Sequence, residues 1–321
     1  MTRQQVRIGT RASKLALTQS GMMQRRIAMA LGAAEDAAQA EIDALAPLIQ
    51  ITTSGDRIQD RRLMEVGGKG LFTKEIEEAL LDGRIDCAIH SLKDMPAALP
   101  PGLAIAAIPE REDPRDAFLS VTVASFDALP HGARLGTASL RRQAQALFRR
   151  PDLEIIMLRG NVDTRIAKLN DGVADAILLA ASGLNRLGLG HLPKMLLDPV
   201  EAPPAPGQGA LAIETREADV DAPWLTALKH RPTTLAVAAE RGAMTALEGS
   251  CKTAIGAYAR LDGPRLHLIV EALTPDGARR FRREGEADVG GADGMAVARS
   301  LGLSLGEAVC AEGGEALLVK E

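Results

Sequence analysis

Aromatic side chains are scarce in this 321-residue chain: five Phe, one Tyr and one Trp make up 2% of it. Base-stacking platforms are therefore missing. With 38 Lys and Arg against 42 Asp and Glu, the formal charge is −4, so basic steering is missing too and no nucleic-acid partner is expected. Cysteine is equally sparse. Cys87, Cys251 and Cys310 are odd in number and form no C-x-x-C pair, which argues against a disulfide framework or a structural zinc site. No H-E-x-x-H or similar ligand spacing occurs, so no metal is expected. No G-x-x-x-x-G-K-[ST] cradle for a nucleotide occurs either. No run approaches the roughly 20 apolar residues of a membrane span, and none resembles a signal peptide. The expectation is a soluble cytoplasmic protein with free thiols and no membrane partner.

What is present is a globular mixture, 46% hydrophobic and 25% charged, long enough for two or three domains. Its core must be built from Leu, Ile, Val, Ala and Met. Short apolar strands at 6–9, 48–53 and 86–92 alternate with helices at 13–31 and 73–81, with Ser13 and Thr73 as caps. A glycine-rich loop over 55–70 interrupts them. Strands at 134–137, 153–158 and 175–181 alternate with helices at 140–149 and 164–169. This is the signature of α/β lobes with mostly parallel sheets. A proline-rich linker at 203–207 follows. A helix over 233–247, strands at 254–260, 265–273 and 279–286, and a helix over 295–311 then predict a small α+β unit with an antiparallel sheet.

Two short patterns recur in the same order. Ile8-Gly9-Thr10-Arg11-Ala12-Ser13 is echoed by Leu135-Gly136-Thr137-Ala138-Ser139. Asp82-Gly83-Arg84-Ile85-Asp86 is echoed by Asp171-Gly172-Val173-Ala174-Asp175. Chance accounts for such turns about as well as kinship does. The alternative is two related lobes facing a cleft, each with an anion-binding strand-to-helix turn.

Three places hold candidate chemistry. From Arg141 to Arg165 lie six arginines and three acids, a local balance of +3 in an acidic chain. Arg149-Arg150 reads as a solvated helix face. Arg141 and Arg142 fall in the first turn of a helix, where cations oppose the dipole, which suggests a bound anion. With Arg11, Arg159 and Arg165 they form a set suited to carboxylates or phosphates. Lys93-Asp94, beyond the strand carrying His90, offers a cation beside a general acid/base, or simply a turn before Pro96. His90 reads as a structural histidine. Cys251, next to Lys252, is a candidate nucleophile or attachment point, whereas Cys87 and Cys310 read as packing.

Taken in order, these segments resemble the porphobilinogen deaminase family. The resemblance rests on Arg7-Ile8-Gly9-Thr10-Arg11-Ala12-Ser13-Lys14-Leu15-Ala16-Leu17, Gly67-Gly68-Lys69-Gly70-Leu71-Phe72 and His90-Ser91-Leu92-Lys93-Asp94-Met95-Pro96. It continues through Arg111-Glu112-Asp113-Pro114-Arg115-Asp116-Ala117, Gly136-Thr137-Ala138-Ser139-Leu140-Arg141-Arg142 and Arg159-Gly160-Asn161-Val162. Pro206-Gly207-Gln208-Gly209 and Leu247-Glu248-Gly249-Ser250-Cys251 complete it. Each segment is weak alone; the ordered set is specific.

The resemblance implies two similar doubly wound lobes like those of type II periplasmic binding proteins, plus the small α+β domain. Domain 1 would comprise 1–109 and 203–227, domain 2 residues 110–202, and domain 3 residues 228–321. It implies a monomeric transferase of tetrapyrrole biosynthesis that joins four porphobilinogen molecules head to tail, releasing ammonia, to give hydroxymethylbilane. Cys251 would carry a dipyrromethane cofactor through a thioether. Arg11, Ser13, Gln19, Lys93, Thr137, Ser139, Arg141, Arg142, Arg159, Arg165, Arg186 and Gln208 would bind cofactor or substrate. Asp94 would be the catalytic carboxylate, assisting ammonia loss and stabilising an azafulvene cation. Asp56, Lys69 and Phe72 would belong to a mobile lid over 56–70 and its flank. Ser250 and Asp163 stand where the family usually or sometimes has Gly, and neither removes a catalytic group. A non-catalytic, two-lobed anion-binding or effector-sensing protein is the competing reading. It would share the arginines but would need neither Lys93-Asp94 nor Cys251.

Overall fold

The computed structural model describes residues 5–57, 72–248 and 253–317. The chain divides into two compact units, Met1–Arg111 with Ala210–Thr234, and Glu112–Gly209 with Leu235–Glu321.

The first unit is built on a five-stranded sheet of β1 (Ile8–Thr10), β2 (Leu48–Gln50), β3 (Cys87–Ser91), β4 (Leu103–Ala107) and β10 (Leu211–Arg216), ordered β2-β1-β3-β10-β4. Helix α1 (Lys14–Ala30) starts where the Ser13 hydroxyl accepts the Ala16 N–H at 3.3 Å. It buries Met23, Ile27 and Ala28 in one core with Ile8, Ile89 and Ile213. Helix α2 (Gln39–Leu45) joins that core, and α3 (Ser54–Arg57) is one short turn. Helix α4 (Lys74–Leu81) packs Ile76, Ala79 and Leu80 into a second core with Ile85, Ala88 and Leu103. Adjacent strand residues Ala88 and Ile89 thus serve opposite cores, as a sheet covered on both faces requires.

The second unit contains a sheet of β5 (Asp116–Ser120), β6 (Arg134–Gly136), β7 (Glu154–Ile156), β8 (Ala176–Ala180) and β9 (Met195–Leu196), ordered β7-β6-β8-β5-β9. Helices α5 (Leu140–Arg149), α6 (Val162–Asn170) and α7 (Ala181–Arg186) connect it. A separate antiparallel sheet of β11 (Ala254–Asp262), β12 (Arg265–Leu273) and β13 (Arg280–Asp288) packs with α8 (Arg231–Glu248) and α9 (Gly294–Gly313). Among the described residues, no helix is long and apolar enough to cross a membrane.

The two five-stranded sheets have one wiring. Three parallel strands are followed by one that runs against them and then by an edge strand that runs with them again. The echoed residues hold equivalent posts. Arg7 donates to Asp86 from its backbone N–H (2.8 Å), Nε (2.9 Å) and Nη2 (2.8 Å). Arg134 does the same to Asp175 at 2.7, 3.3 and 2.8 Å. A Cβ on Gly9 would meet Ile85 Cδ1 at 2.3 Å, and one on Gly136 would meet the Ala174 Cβ at 3.1 Å. Each glycine lets the residue before the paired aspartate close over its strand. The repeat is a structural one.

Some expectations need correcting. Thr73 forms no side-chain cap on α4. The elements α2, α3, α7, β4, β5, β9 and β10 fall outside the sequence reading. The 203–207 linker is no exposed tether: Pro203, Pro204, Pro206, Gly207, Gln208 and Gly209 are all buried.

The Arg–Asp pairs set an acid limit on stability. Burial raises the Asp86 carboxyl, but its bonds to Arg7 outweigh burial and hold it below the ordinary range. The Arg134 bonds lower Asp175 likewise. Each pair therefore contributes above about pH 4 and is lost as the pH falls through the depressed value. Asp86→Asn and Asp175→Asn should each lower unfolding free energy by about 1 kcal/mol at neutral pH, since both pairs are partly exposed. In urea titrations the deficit should shrink towards zero at acid pH.

Candidate functional site

Because β1, β2 and β3 are parallel, their carboxyl ends share one edge of the first sheet, the edge where ligands of open α/β sheets bind. Arg11 and Ser13 follow β1. Lys93 and Asp94 follow β3 in a 3₁₀ turn over Leu92–Asp94. Leu92 and Met95 anchor that turn at 1% and 2% exposure, and the Leu92 N–H donates to the Ala210 carbonyl at 3.0 Å. Between these anchors Lys93 is half-buried and Asp94 is exposed. Gln19, on α1, donates from Nε2 to Ser91 Oγ at 3.0 Å and so joins the helix to the end of β3. The Arg11 guanidinium lies 4.1 Å above the Phe72 ring centre. Asp56 lies in α3, with its side chain outside the described residues, and Lys69 lies outside them altogether. The Ser54 N–H donates to Glu75 Oε1 at 2.8 Å, tying the chain before residues 58–71 to the chain after them.

The second sheet repeats the arrangement with arginines. Thr137 and Ser139 follow β6, Arg159 follows β7, and Arg186 ends α7, which follows β8. Thr137 Oγ1 accepts the Ser139 N–H at 3.1 Å, and Ser139 caps α5 by accepting the Arg142 N–H at 3.4 Å. Asn161 caps α6, and the Arg165 Nε donates to the Gly160 carbonyl at 2.8 Å. The Arg186 Nη2 donates to the Gly209 carbonyl at 2.7 Å, and burial lowers its pKa.

Arg141 and Arg142 correct the helix-dipole reading. The anion they face is internal. Asp116, 1% exposed, begins the antiparallel strand β5 opposite Ala180, which places it at the same edge. Its Oδ1 accepts Arg142 Nε (3.1 Å), Arg142 Nη2 (2.8 Å) and Gln208 Nε2 (2.9 Å), and its Oδ2 accepts Arg141 Nη1 (2.7 Å). Arg142 Nη1 also donates to the Leu178 carbonyl at 3.0 Å. Burial pushes the Asp116 carboxyl up, but the charges of Arg141 and Arg142 outweigh it and hold the group well below the usual carboxylate range. Sequence reasoning missed Asp116. Its only signal is one acid opening the apolar run Ala117-Phe118-Leu119 in a chain with surplus arginine nearby. Arg149 and Arg150, read as a solvated face, pair with Asp127 and Asp152.

Some arginine capacity is left over. Arg141 Nε, Arg159 Nη1 and Arg186 Nε are buried and have no hydrogen-bond partner among the described residues. Orphaned guanidinium N–H groups at one sheet edge suit a ligand rich in carboxylates. Cys251 lies outside the described residues. Cys87 is buried, which pushes its thiol pKa up and leaves it inert. Among the described residues, no group of three or more His, Cys, Asp or Glu could hold a metal ion.

Fold and edges together define an α/β protein of two like lobes, one sheet edge carrying Lys93-Asp94 and the other rich in arginines. Residues 6–223 match the family model for the porphobilinogen deaminase dipyromethane cofactor binding domain, and residues 234–311 match the model for the porphobilinogen deaminase C-terminal domain. The chain belongs to the porphobilinogen deaminase family. It is 72% identical over 316 residues to the porphobilinogen deaminase of Caulobacter vibrioides (strain NA1000 / CB15N), covering 98% of each chain. It is 71% identical over 321 residues to that of Caulobacter sp. (strain K31), covering all of both. The crystal structure of the methionine binding protein MetQ is similar over 70% of this chain and 89% of its own, at 14% identity and a TM-score of 0.44.

Replacing Asp116 by Asn should leave two buried guanidiniums without a counter-charge and cost about 3–5 kcal/mol in urea unfolding. Because the carboxyl is depressed, the wild-type contribution is present above about pH 4 and disappears as the pH falls. Arg142→Leu, which the dipole reading would spare, should also lose more than about 2 kcal/mol.

Proposed function

We propose that this chain joins four porphobilinogen molecules head to tail with loss of ammonia, giving hydroxymethylbilane, as a monomer in the cytoplasm without nucleic-acid or membrane partners. The observation that carries the reading is the set of buried N–H groups on Arg141, Arg159 and Arg186 that have no partner among the described residues. Each pyrrole brings an acetate and a propionate, so a growing chain supplies many acceptors for charge-assisted bonds. A non-catalytic anion-binding protein would share these arginines; membership in the porphobilinogen deaminase family supports the enzyme. Three domains, 1–109 with 203–227, 110–202 and 228–321, are the proposed division; the presence of three separate sheets supports the number of domains.

Roles follow from position. A dipyrromethane on Cys251, when bound, supplies the pyrrole carbon to which the first substrate unit is added. Arg141, Arg159, Arg165 and Arg186 hold carboxylates at the second edge; Arg142, clamped on Asp116, orients Arg141 beside it, with Thr137, Ser139 and Gln208 shaping the turns around them. Arg11, Ser13, Gln19 and Lys93 do the same at the first edge. Asp94, exposed between two buried anchors, presents a fixed carboxylate. It accepts pyrrole N–H groups, helps the leaving amine depart protonated, and stabilises the positive charge that develops on the ring. Asp56, Lys69 and Phe72 belong to a lid that excludes water during each addition.

Two measurements test this. The intact mass of freshly purified protein should exceed the polypeptide mass by two condensed porphobilinogen units, located on the peptide containing Cys251 and missing from Cys251→Ser. An unmodified mass in active protein refutes the attachment. Asp94→Asn should fold and load cofactor, yet its single-turnover rate should drop about a hundredfold or more. Asp94→Glu, which keeps the charge, should retain more activity. An Asn variant as fast as wild type would reduce Asp94 to a turn residue before Pro96.

A further inference from the structure

Three ionisable side chains lie beneath α4 in the first unit, and none has a part in the chemistry above. His90, on β3, is 6% exposed; Glu214, on β10, is fully buried; Glu77, on α4, is 7% exposed. His90 Nε2 stands 3.0 Å from Glu214 Oε2. The two strands are antiparallel neighbours in which Ala212 faces His90 and Glu214 faces Ala88, so His90 and Glu214 are diagonal partners on one face. Helix α4 packs on both strands. Desolvation raises the Glu77 pKa, and the charge of Glu214 adds to this while His90 opposes it; Glu78 is the other charge acting on Glu77.

The surroundings are apolar: Ile76, Ala79, Leu80, Ile85, Ala88 and Leu103 form the core here. Both Glu214 oxygens and His90 Nε2 lack a well-aligned hydrogen bond among the described residues. Well-packed aliphatic residues of similar volume would serve stability as well as such a group does. What a charged group adds is a single permitted arrangement. Its position is telling. Four residues beyond His90 is Asp94. At the other end of the β3–β10 pairing, the Leu92 N–H meets the Ala210 carbonyl at 3.0 Å. Helix α4 is the first helix after residues 58–71.

We propose that His90 and Glu214 are positioning residues for Asp94: the imidazole held against the carboxylate on β10 fixes the end of β3, and with it the place where the Leu92–Asp94 turn leaves the sheet. This rests on the reading of Asp94 as the catalytic carboxylate.

The test uses full-length holoenzyme with Glu214→Gln, which keeps shape and removes charge, and with the double replacement His90→Leu, Glu214→Leu, which makes the contact apolar. Three quantities are read: the thermal midpoint, kcat and KM for porphobilinogen, and amide exchange of the peptide spanning 87–95. The expected result is a folded double variant with a midpoint near wild type, kcat lowered about tenfold or more, KM within about twofold, and faster exchange at Leu92–Met95. Unchanged kcat or unchanged exchange in a folded variant overturns the proposal. If Glu214→Gln does not fold, the double variant decides. If neither folds, the group serves folding alone and the proposal is also overturned. A wild-type chain that makes no hydroxymethylbilane would refute the proposed activity, while the exchange measurement would still decide whether the group fixes the turn.

Discussion

One buried carboxylate organises the second unit. Asp116 takes hydrogen bonds from Arg141, Arg142 and Gln208, side chains from the start of α5 and from the 203–209 segment. Without it, two guanidiniums at a helix N-terminus would face the helix dipole and each other inside a low-dielectric interior. With it, the pair is held at the strand-to-helix turn that contains Thr137 and Ser139, and the Nε of Arg141 keeps a set direction. The same cluster seats the 203–209 segment. Arg141 and Gln145 both donate to the Pro203 carbonyl, at 3.2 and 2.8 Å. The buried Glu240 accepts the Gly207 N–H at 2.7 Å and the Ala259 N–H at 2.9 Å. A segment rich in proline has few N–H groups of its own, so its carbonyls must be satisfied by side chains from elsewhere.

The two five-stranded sheets show how one solution is used twice with different chemistry. Each begins a parallel strand with an arginine clasped to an aspartate that precedes another strand, and each places a small-residue turn at the strand's carboxyl end. The residues just beyond that scaffold differ between the sheets. In the first sheet these are Arg11, Lys93 and Asp94, with one acid kept at the surface. In the second the acid is drawn inside as Asp116, and cations dominate the edge. The Asp94 carboxyl is thus exposed, whereas that of Asp116 is committed to Arg141, Arg142 and Gln208.

Much of this was legible in the residues. Alternation of short apolar runs with amphipathic stretches set the α/β class, and the turn residues Asp262-Gly263 and Pro275-Asp276-Gly277 marked the antiparallel unit. The ordered motifs marked the family and named Asp94 and Cys251. Short elements escaped. Strands β4, β5 and β10 carry apolar runs on both faces with no alternation to mark them, β9 has two residues, and α2, with seven residues, is held by packing of Ile42 and Leu45. The echo of Gly9-Thr10 and Gly136-Thr137 was visible but indistinguishable from chance until equivalent partners, Ile85-Asp86 and Ala174-Asp175, were found beside each.

Sequence alone determined which groups carry charge, where strands end in small polar turns, and that arginine exceeds its local acids between 141 and 165. Only the tertiary structure decided which of those arginines are spoken for. Partner choice depends on residues far apart in the chain: Asp116 is 25 positions from Arg141 and Gln208 is 92 positions from Asp116. The free energy of a guanidinium is set by its burial and by the distance to the nearest carboxylate, and the fold alone fixes both.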